Sequence, residues 1–279
     1  MNNIKTYKEN GKIVIEENGI KYDYINPLYD KAFKTILKAD KNYYIIKTLL
    51  KEFLHVDLIE IHEKDSEFEA YGINEKQKRC DYLIRVNDKV IQIECNKVYS
   101  RVLKERNISH FRRLIKEYGF PAIQVNFDDY DVGKKNKLVY HYSLKSDEDE
   151  SFYKDMIEIF HINLLNVEKI RYNEIEINKL SNMERICLMF KTRTRKDMAV
   201  LVKGDENLMD FKNIYEEIAN DKELVDEYTK EELEKLAYGD ESAKKEKKKI
   251  AKNLLNKKVD IDIISSSTGL TIEEIEKLK

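Results

Sequence analysis

An α/β body followed by an all-helical C-terminal region is the architecture the sequence predicts. Short segments with strand-like alternation or continuous apolar character recur up to about residue 165, and helical periodicity runs between them. No strand signal returns after about residue 180. Turn and stop residues punctuate the pattern, Asn18-Gly19 as a hairpin turn and Gly119 as a helix stop.

Ile13 to Tyr22 reads as a hairpin around Asn18-Gly19. Asn26-Pro27 then opens a helix, with Asn as N-cap and Pro at the first helical position. Tyr29, Ala32, Phe33, Ile36 and Leu37 follow at helical spacing. A second helix is expected from Lys41 to Leu54, with Tyr44, Ile45, Thr48, Leu49 and Phe53 as its apolar stripe. Residues 58 to 70 look extended. Residues 78 to 96 form a second hairpin turning at Asn87-Asp88. Tyr99 to Tyr118 is a long amphipathic helix with Leu103, Arg106, His110, Phe111, Leu114 and Tyr118 on one side. Pro121 leads into a buried strand, Ala122 to Phe127, and strands follow at Lys137 to Leu144 and Met156 to Leu165. Met183 to Val202 and Asn207 to Ala219 are amphipathic helices. Lys244 to Lys258 is lysine-rich, read first as a solvated helix or linker. In the last stretch Gly269 stops one helix, and Thr271 with Glu274 makes a capping box for the next.

Composition narrows the function classes. Hydrophobic residues are 42% and charged residues 37%, the balance of a soluble, heavily charged globule, and no apolar run approaches the roughly 20 residues of a membrane span. The N-terminus lacks an apolar h-region, so a cytoplasmic protein is expected. Three scattered cysteines argue against a disulfide scaffold or a zinc knuckle. A net charge of −2 gives no global footprint for nucleic acid, so contact with DNA would need a local basic strip.

The hairpin at 78–96 carries the chemistry. Side chains alternate along a strand, so Asp81, Leu83 and Arg85 share a face with Gln92, Glu94 and Asn96. Tyr82, Ile84, Val86, Ile91 and Ile93 take the other. The 13-residue separation of Asp81 and Glu94 suits two antiparallel strands joined by a tight turn. Paired carboxylates supply hard oxygen ligands for a divalent cation such as Mg²⁺, which accepts one or two of them and keeps several waters. Such a cation polarises a phosphate and lowers the pKa of an attacking water. Asn96 points into the same site, where a lysine would be ideal, while Lys97 should face the opposite side. The Cys95 carbonyl is a further candidate ligand, and Lys34 or Lys78 could approach from elsewhere.

Asp81 followed by Glu94-Cys95-Asn96 resembles the PD-(D/E)XK nuclease pattern. The surroundings resemble the Rpn family of recombination-promoting nucleases, also named putative transposases. That family's D-x-x-F-K helix is matched at Asp30-Lys31-Ala32-Phe33-Lys34, and its following arginine by Arg106. Its tail is matched by Ile250 to Leu255 and Thr268 to Ile275. The likeness spans roughly residues 24 to 279. Two departures stand out: Asn96 replaces the usual lysine or glutamine, and His110 replaces a tyrosine.

The resemblance implies a restriction-endonuclease-like core, a mixed central sheet flanked by helices, over residues 1–175, with a helical C-terminal region over 176–279. It implies a metal-dependent endodeoxyribonuclease acting in DNA recombination or phage defence. Asp81 and Glu94 would bind Mg²⁺ (or Mn²⁺ or Ca²⁺), Asn96 would position the attacking water, and Asp30 would be a third acid at its border. DNA is the expected partner, with a homodimer through the C-terminal helices and no membrane. The alternative is a catalytically impaired nuclease fold that binds nucleic acid or a protein partner through its tail.

Overall fold

Two Asn-Gly dipeptides shape the first sheet. Strands β1 (Ile4–Glu9), β2 (Lys12–Glu17) and β3 (Ile20–Tyr22) form an antiparallel meander. Its turns place Asn10 and Gly11 at φ 52° and 76°, and Asn18 and Gly19 at φ 52° and 83°. Positive φ at both central residues is the tight hairpin geometry that Asn-Gly favours. Sequence reading found the second turn and missed β1, although Asn10-Gly11 carries the same signal. The computed structural model describes residues 4–38, 43–54, 61–63, 80–86, 88–133, 136–144, 156–170 and 177–278.

Asn26-Pro27 does not open the first helix. Asn26 Oδ1 accepts from the Leu28 N–H at 2.9 Å and the Asn26 carbonyl accepts from the Tyr29 N–H at 2.9 Å, which closes a turn. Helix α1 (Asp30–Lys38) starts after it and buries Ala32, Phe33, Ile36 and Leu37. Helix α2 (Tyr43–Leu54) follows, and Ile46 and Leu50 join Ile45 and Leu49 in the core. Of the extended segment expected at 58–70, β4 (Ile61–Glu63) is present; residues 58–60 and 64–70 lie outside the described residues, as do Lys41, Lys78 and Asn87.

The main sheet has the order β4-β5-β6-β7-β9-β8. Strands β5 (Tyr82–Val86) and β6 (Lys89–Asn96) form the predicted hairpin, with Leu83 opposite Gln92 and Tyr82 opposite Ile93. Helix α3 (Arg101–Tyr118) crosses from β6 to the parallel strand β7 (Ala122–Asp128). Ser100 caps its start through the Leu103 N–H, and Gly119 ends it at φ 78°. Strand β9 (Ile157–Asn163) continues the parallel run, and β8 (Val139–Ser143) closes the edge antiparallel to it. Parallel strands with layers on both faces are buried throughout, and all seven residues of β7 are.

The two faces of the sheet differ. One carries Tyr82, Ile84, Ile91, Ile93, Ile123, Val125 and Phe127 into the large hydrophobic cluster. The other is apolar at one end, where Leu83, Val90 and Ala122 meet Phe111 and Leu114 of α3. Beyond that it is a buried polar layer of Gln92, Glu94, Asn96, Gln124, Asn126 and Asp128.

The C-terminal half is helical: α4 (Leu164–Val167), α5 (Asn182–Met189), α6 (Arg195–Leu201), α7 (Glu206–Asn220), α8 (Lys222–Asn256), α9 (Ile261–Thr268) and α10 (Ile272–Glu276). The stretch read as one helix from Met183 to Val202 is two, because α5 ends near Phe190 and Thr194 caps α6 through the Asp197 N–H. Residue 176 marks a change of pattern, and the large cluster runs across it: Ile186, Phe211, Val225 and Tyr228 pack with the sheet residues.

Helix α8 is 35 residues, about 50 Å at 1.5 Å per residue. Its first turns belong to the main core, and its end joins α9 and α10 in a separate cluster of Ala251, Ile264, Leu270 and Ile275. The lysine-rich tract is therefore helix, exposed from Lys244 to Ile250. Because the tail has its own core, Ile264→Asp should unfold α9 and α10 alone. Calorimetry should show the main transition within about 1–2 °C of wild type while helical ellipticity falls; a common loss of both would show that they melt as one unit.

Candidate active site

The ends of β5 and β6, the start of α1, the middle of α3 and the first third of α8 enclose a cavity of about 250 Å³. Continuing the hairpin register one step past Tyr82 and Ile93 sets Asp81 opposite Glu94, and both line this cavity. The Asp81 side chain is 15% exposed and that of Glu94 2%. Asp81 Oδ2 accepts from the Cys95 N–H at 2.7 Å, which fixes the carboxylate across the hairpin. Glu94 Oε1 faces His110 Nδ1 at 3.1 Å and accepts from the Gln92 side-chain amide.

Burial and the neighbouring Glu94 carboxylate push the Asp81 pKa up to about 7, against the pull of the Cys95 N–H and Lys34. Lys34 Nζ lies 3.6 Å from Asp81 and 2.9 Å from Asp30, one helical turn before it. Asp30 also lines the cavity, so the three predicted acids are together. Across the cavity stand Lys97, Arg106 and Lys235. Burial lowers the Lys97 pKa.

Asn96 is not brought to the cavity. Its Nδ2 donates to Asp128 Oδ1 at 2.8 Å and faces Asn126 Oδ1 at 3.5 Å, and its Oδ1 accepts from Arg106 Nη2 at 3.0 Å. At 1% exposure it is a member of the polar layer under α3, with its amide already occupied. Arg106 does line the cavity and reaches it from the partner end of that bond.

Four site residues run against the sequence reading or beyond it. Lys97 lines the cavity because β6 ends at Asn96, and strand alternation cannot be carried past a strand's end. His110, given no site role in the sequence, contacts Glu94; its place four residues after Arg106 on α3 was the available signal. Glu231 and Lys235 arrive from α8, more than a hundred residues away, and no local pattern announces them. Glu231 Oε1 accepts from the Tyr29 hydroxyl at 2.9 Å, and Lys31 pairs with Glu227 at 2.5 Å, so α8 is bound along the start of α1.

Among the described residues, no group of three or more His, Cys, Asp or Glu side chains is arranged to hold a metal ion. Two carboxylates lining one cavity of about 250 Å³ do fit a hard cation that keeps most of its waters.

The tail decides the likeness. Residues 244–279 match the Rpn/YhgA-like nuclease family, C-terminal HTH domain. The match covers the end of α8 with α9 and α10, the unit that has its own small core. It supports the Rpn likeness read from the sequence; the hairpin and its acids lie outside the matched span. No curated protein matches the chain. No helix among the described residues is long and apolar enough to cross a membrane.

Proposed function

We propose that the chain is a metal-dependent DNA endonuclease of the Rpn type. The observation that carries this reading is the pair Asp81 and Glu94, turned into one cavity and crowded enough to raise the Asp81 pKa to about 7. A site that buries two acids at a cost is characteristic of a functional constellation rather than a structural one. Asp81 and Glu94 would hold Mg²⁺ or Mn²⁺, which polarises a phosphate and supplies a water of lowered pKa. The chain's own contributions are positional. The Cys95 N–H and His110 fix the two carboxylates. Arg106, held by Asn96, lines the same cavity, suited to a phosphate oxygen, and Lys34, held by Asp30, stands beside Asp81. The exposed lysines at the end of α8 would hold DNA backbone to the tail.

A place in DNA recombination or phage defence rests on the family likeness. Pairing with a second copy through the tail is consistent with Ile250, Ile263 and Ile272, which are 45%, 56% and 44% exposed there. The second reading, a binder that does not cut, is favoured by Asn96, which brings neither charge nor a free amide to the cavity.

Nicking of supercoiled plasmid separates the two. Wild type should nick with Mg²⁺ or Mn²⁺ and not in a chelator, and Asp81→Ala should lose at least 10³ of the rate. Retention of plasmid by wild type without nicking under any divalent cation establishes the binder instead.

A further inference from the structure

On the far side of α3 from the acids lies a second cavity, about 340 Å³, within the size range of small-ligand sites. Its walls include Tyr99, Tyr130 and Tyr142, with Lys104 at the rim and Asn107 and Gln124 on the floor. We propose that this cavity takes an unpaired nucleobase carrying an exocyclic amino group, drawn out of the DNA strand whose phosphate lies at the acidic site. The proposal rests on the nucleic-acid reading above and adds a base-binding subsite to it.

Asn107 supplies the polar argument. The residue is 5% exposed, and its Oδ1 is buried with no hydrogen-bond partner among the described residues. The orientation of the amide is fixed by its other end: Nδ2 donates to Asn126 Oδ1 at 3.2 Å, and Asn126 is itself oriented by donating its Nδ2 to the Phe160 carbonyl at 3.3 Å. A buried acceptor left unpaired costs free energy unless something donates to it. Gln124 Nε2 donates to the Asn107 carbonyl at 3.2 Å and steadies that floor. An amino group on a ring seated above it would satisfy Oδ1.

The walls supply the apolar argument. Tyr99 and Tyr142 are 52% and 51% exposed, unusual for tyrosines that serve packing alone. Tyr99 meets Tyr130 edge-on at 5.5 Å, and Lys104 Nζ lies 5.2 Å from the Tyr99 ring centre. Aromatic platforms with a cation at the rim suit a stacked base whose phosphate stays outside. Extrusion of a base into such a pocket is physically ordinary for proteins that work on DNA.

The two cavities are joined through the polar layer. Glu94 is the register partner of Asn126 on the adjacent strand, about 4.8 Å away, and Asn126 accepts from Asn107. A strand laid across α3 would therefore meet the acids and the tyrosines at neighbouring positions.

The test uses the full chain in chelator, so that cleavage plays no part. The probe is a duplex oligonucleotide with 2-aminopurine opposite an abasic site, whose emission is quenched when the base stacks on an aromatic ring. Anisotropy of a distant label reports binding of the duplex as a whole. Wild type is expected to quench the 2-aminopurine at saturation. Tyr99→Ala and Tyr142→Ala, both exposed positions outside the acidic site, should bind the duplex while quenching at least fivefold less. Unchanged emission in the wild-type complex, equal quenching in the variants, or no binding by wild type overturns the proposal. Quenching with no nicking in the plasmid assay removes the nuclease reading alone; nicking without quenching removes the base pocket alone.

Discussion

Asp81→Asn is expected to make the metal-free protein more stable while abolishing its activity. In the fold the Asp81 carboxyl keeps its proton to about pH 7, whereas in an unfolded chain it releases it near pH 4. Between these limits the native state binds more protons than the unfolded one, so stability falls as pH rises through the window. Above pH 7 the whole penalty is present, and below about pH 4 it is gone. Asparagine keeps an acceptor for the Cys95 N–H and removes the charge facing Glu94. At pH 8 in chelator the variant should melt about 5 °C or more above wild type, and the gap should close by pH 4–5. Adding Mg²⁺ should raise the wild-type melting temperature and leave that of the variant unmoved, because only the carboxylate form gains a ligand. A variant less stable than wild type at pH 8 in chelator would show that the pair is held by some compensating charge, and the case for a cation there would lapse.

What the sequence disclosed follows from how far each signal reaches. The hairpin, its faces and the pairing of Asp81 with Glu94 were legible because strand alternation and register are local and have a period of two. The helix α3 was legible because Ser100, Gly119 and the apolar stripe are local as well. Asn96 was given the right face and the wrong neighbours: alternation says which way a side chain leaves a strand, and β7, thirty residues later, decides what it meets there. Lys97 shows the complementary limit, since alternation stops with the strand. The α8 wall of the cavity was illegible for a third reason. Glu231 and Lys235 read as part of a charged surface helix, and only the packing of Tyr228 into the main core turns them toward the acids. Asn26-Pro27 shows two meanings of one dipeptide, a turn and a helix start; the turn prevails because Asn26 bonds the Leu28 N–H directly.

Replacement of Arg106 by leucine should produce the largest catalytic loss among residues that hold no metal. The position that would carry lysine in a nuclease of this pattern is Asn96, whose amide is occupied by Asp128 and Arg106. The positive charge at the cavity comes instead from Arg106 on α3, Lys97 and Lys235, with Lys34 on α1 beside Asp81. Arg106 is the stronger candidate for the charge that develops on a phosphate. Its Nη2 donates to Asn96, and its fork of five donors is planar and pre-oriented. Lys34 already bridges Asp30 and Asp81 and is positioned to moderate the acids. Arg106→Leu should therefore lower the nicking rate by about 10²–10³, the range for loss of one preorganised stabilising group. Mn²⁺ affinity measured by titration calorimetry should stay within about threefold of wild type. Asn96→Ala should lose less, because the guanidinium keeps its charge and loses only its anchor. Lys34→Met should instead tighten the cation, since removing a nearby positive charge favours another one. Should Arg106→Leu nick within threefold of wild type while Lys34→Met is inactive, the roles are reversed, and the lysine on α1 stabilises the phosphate.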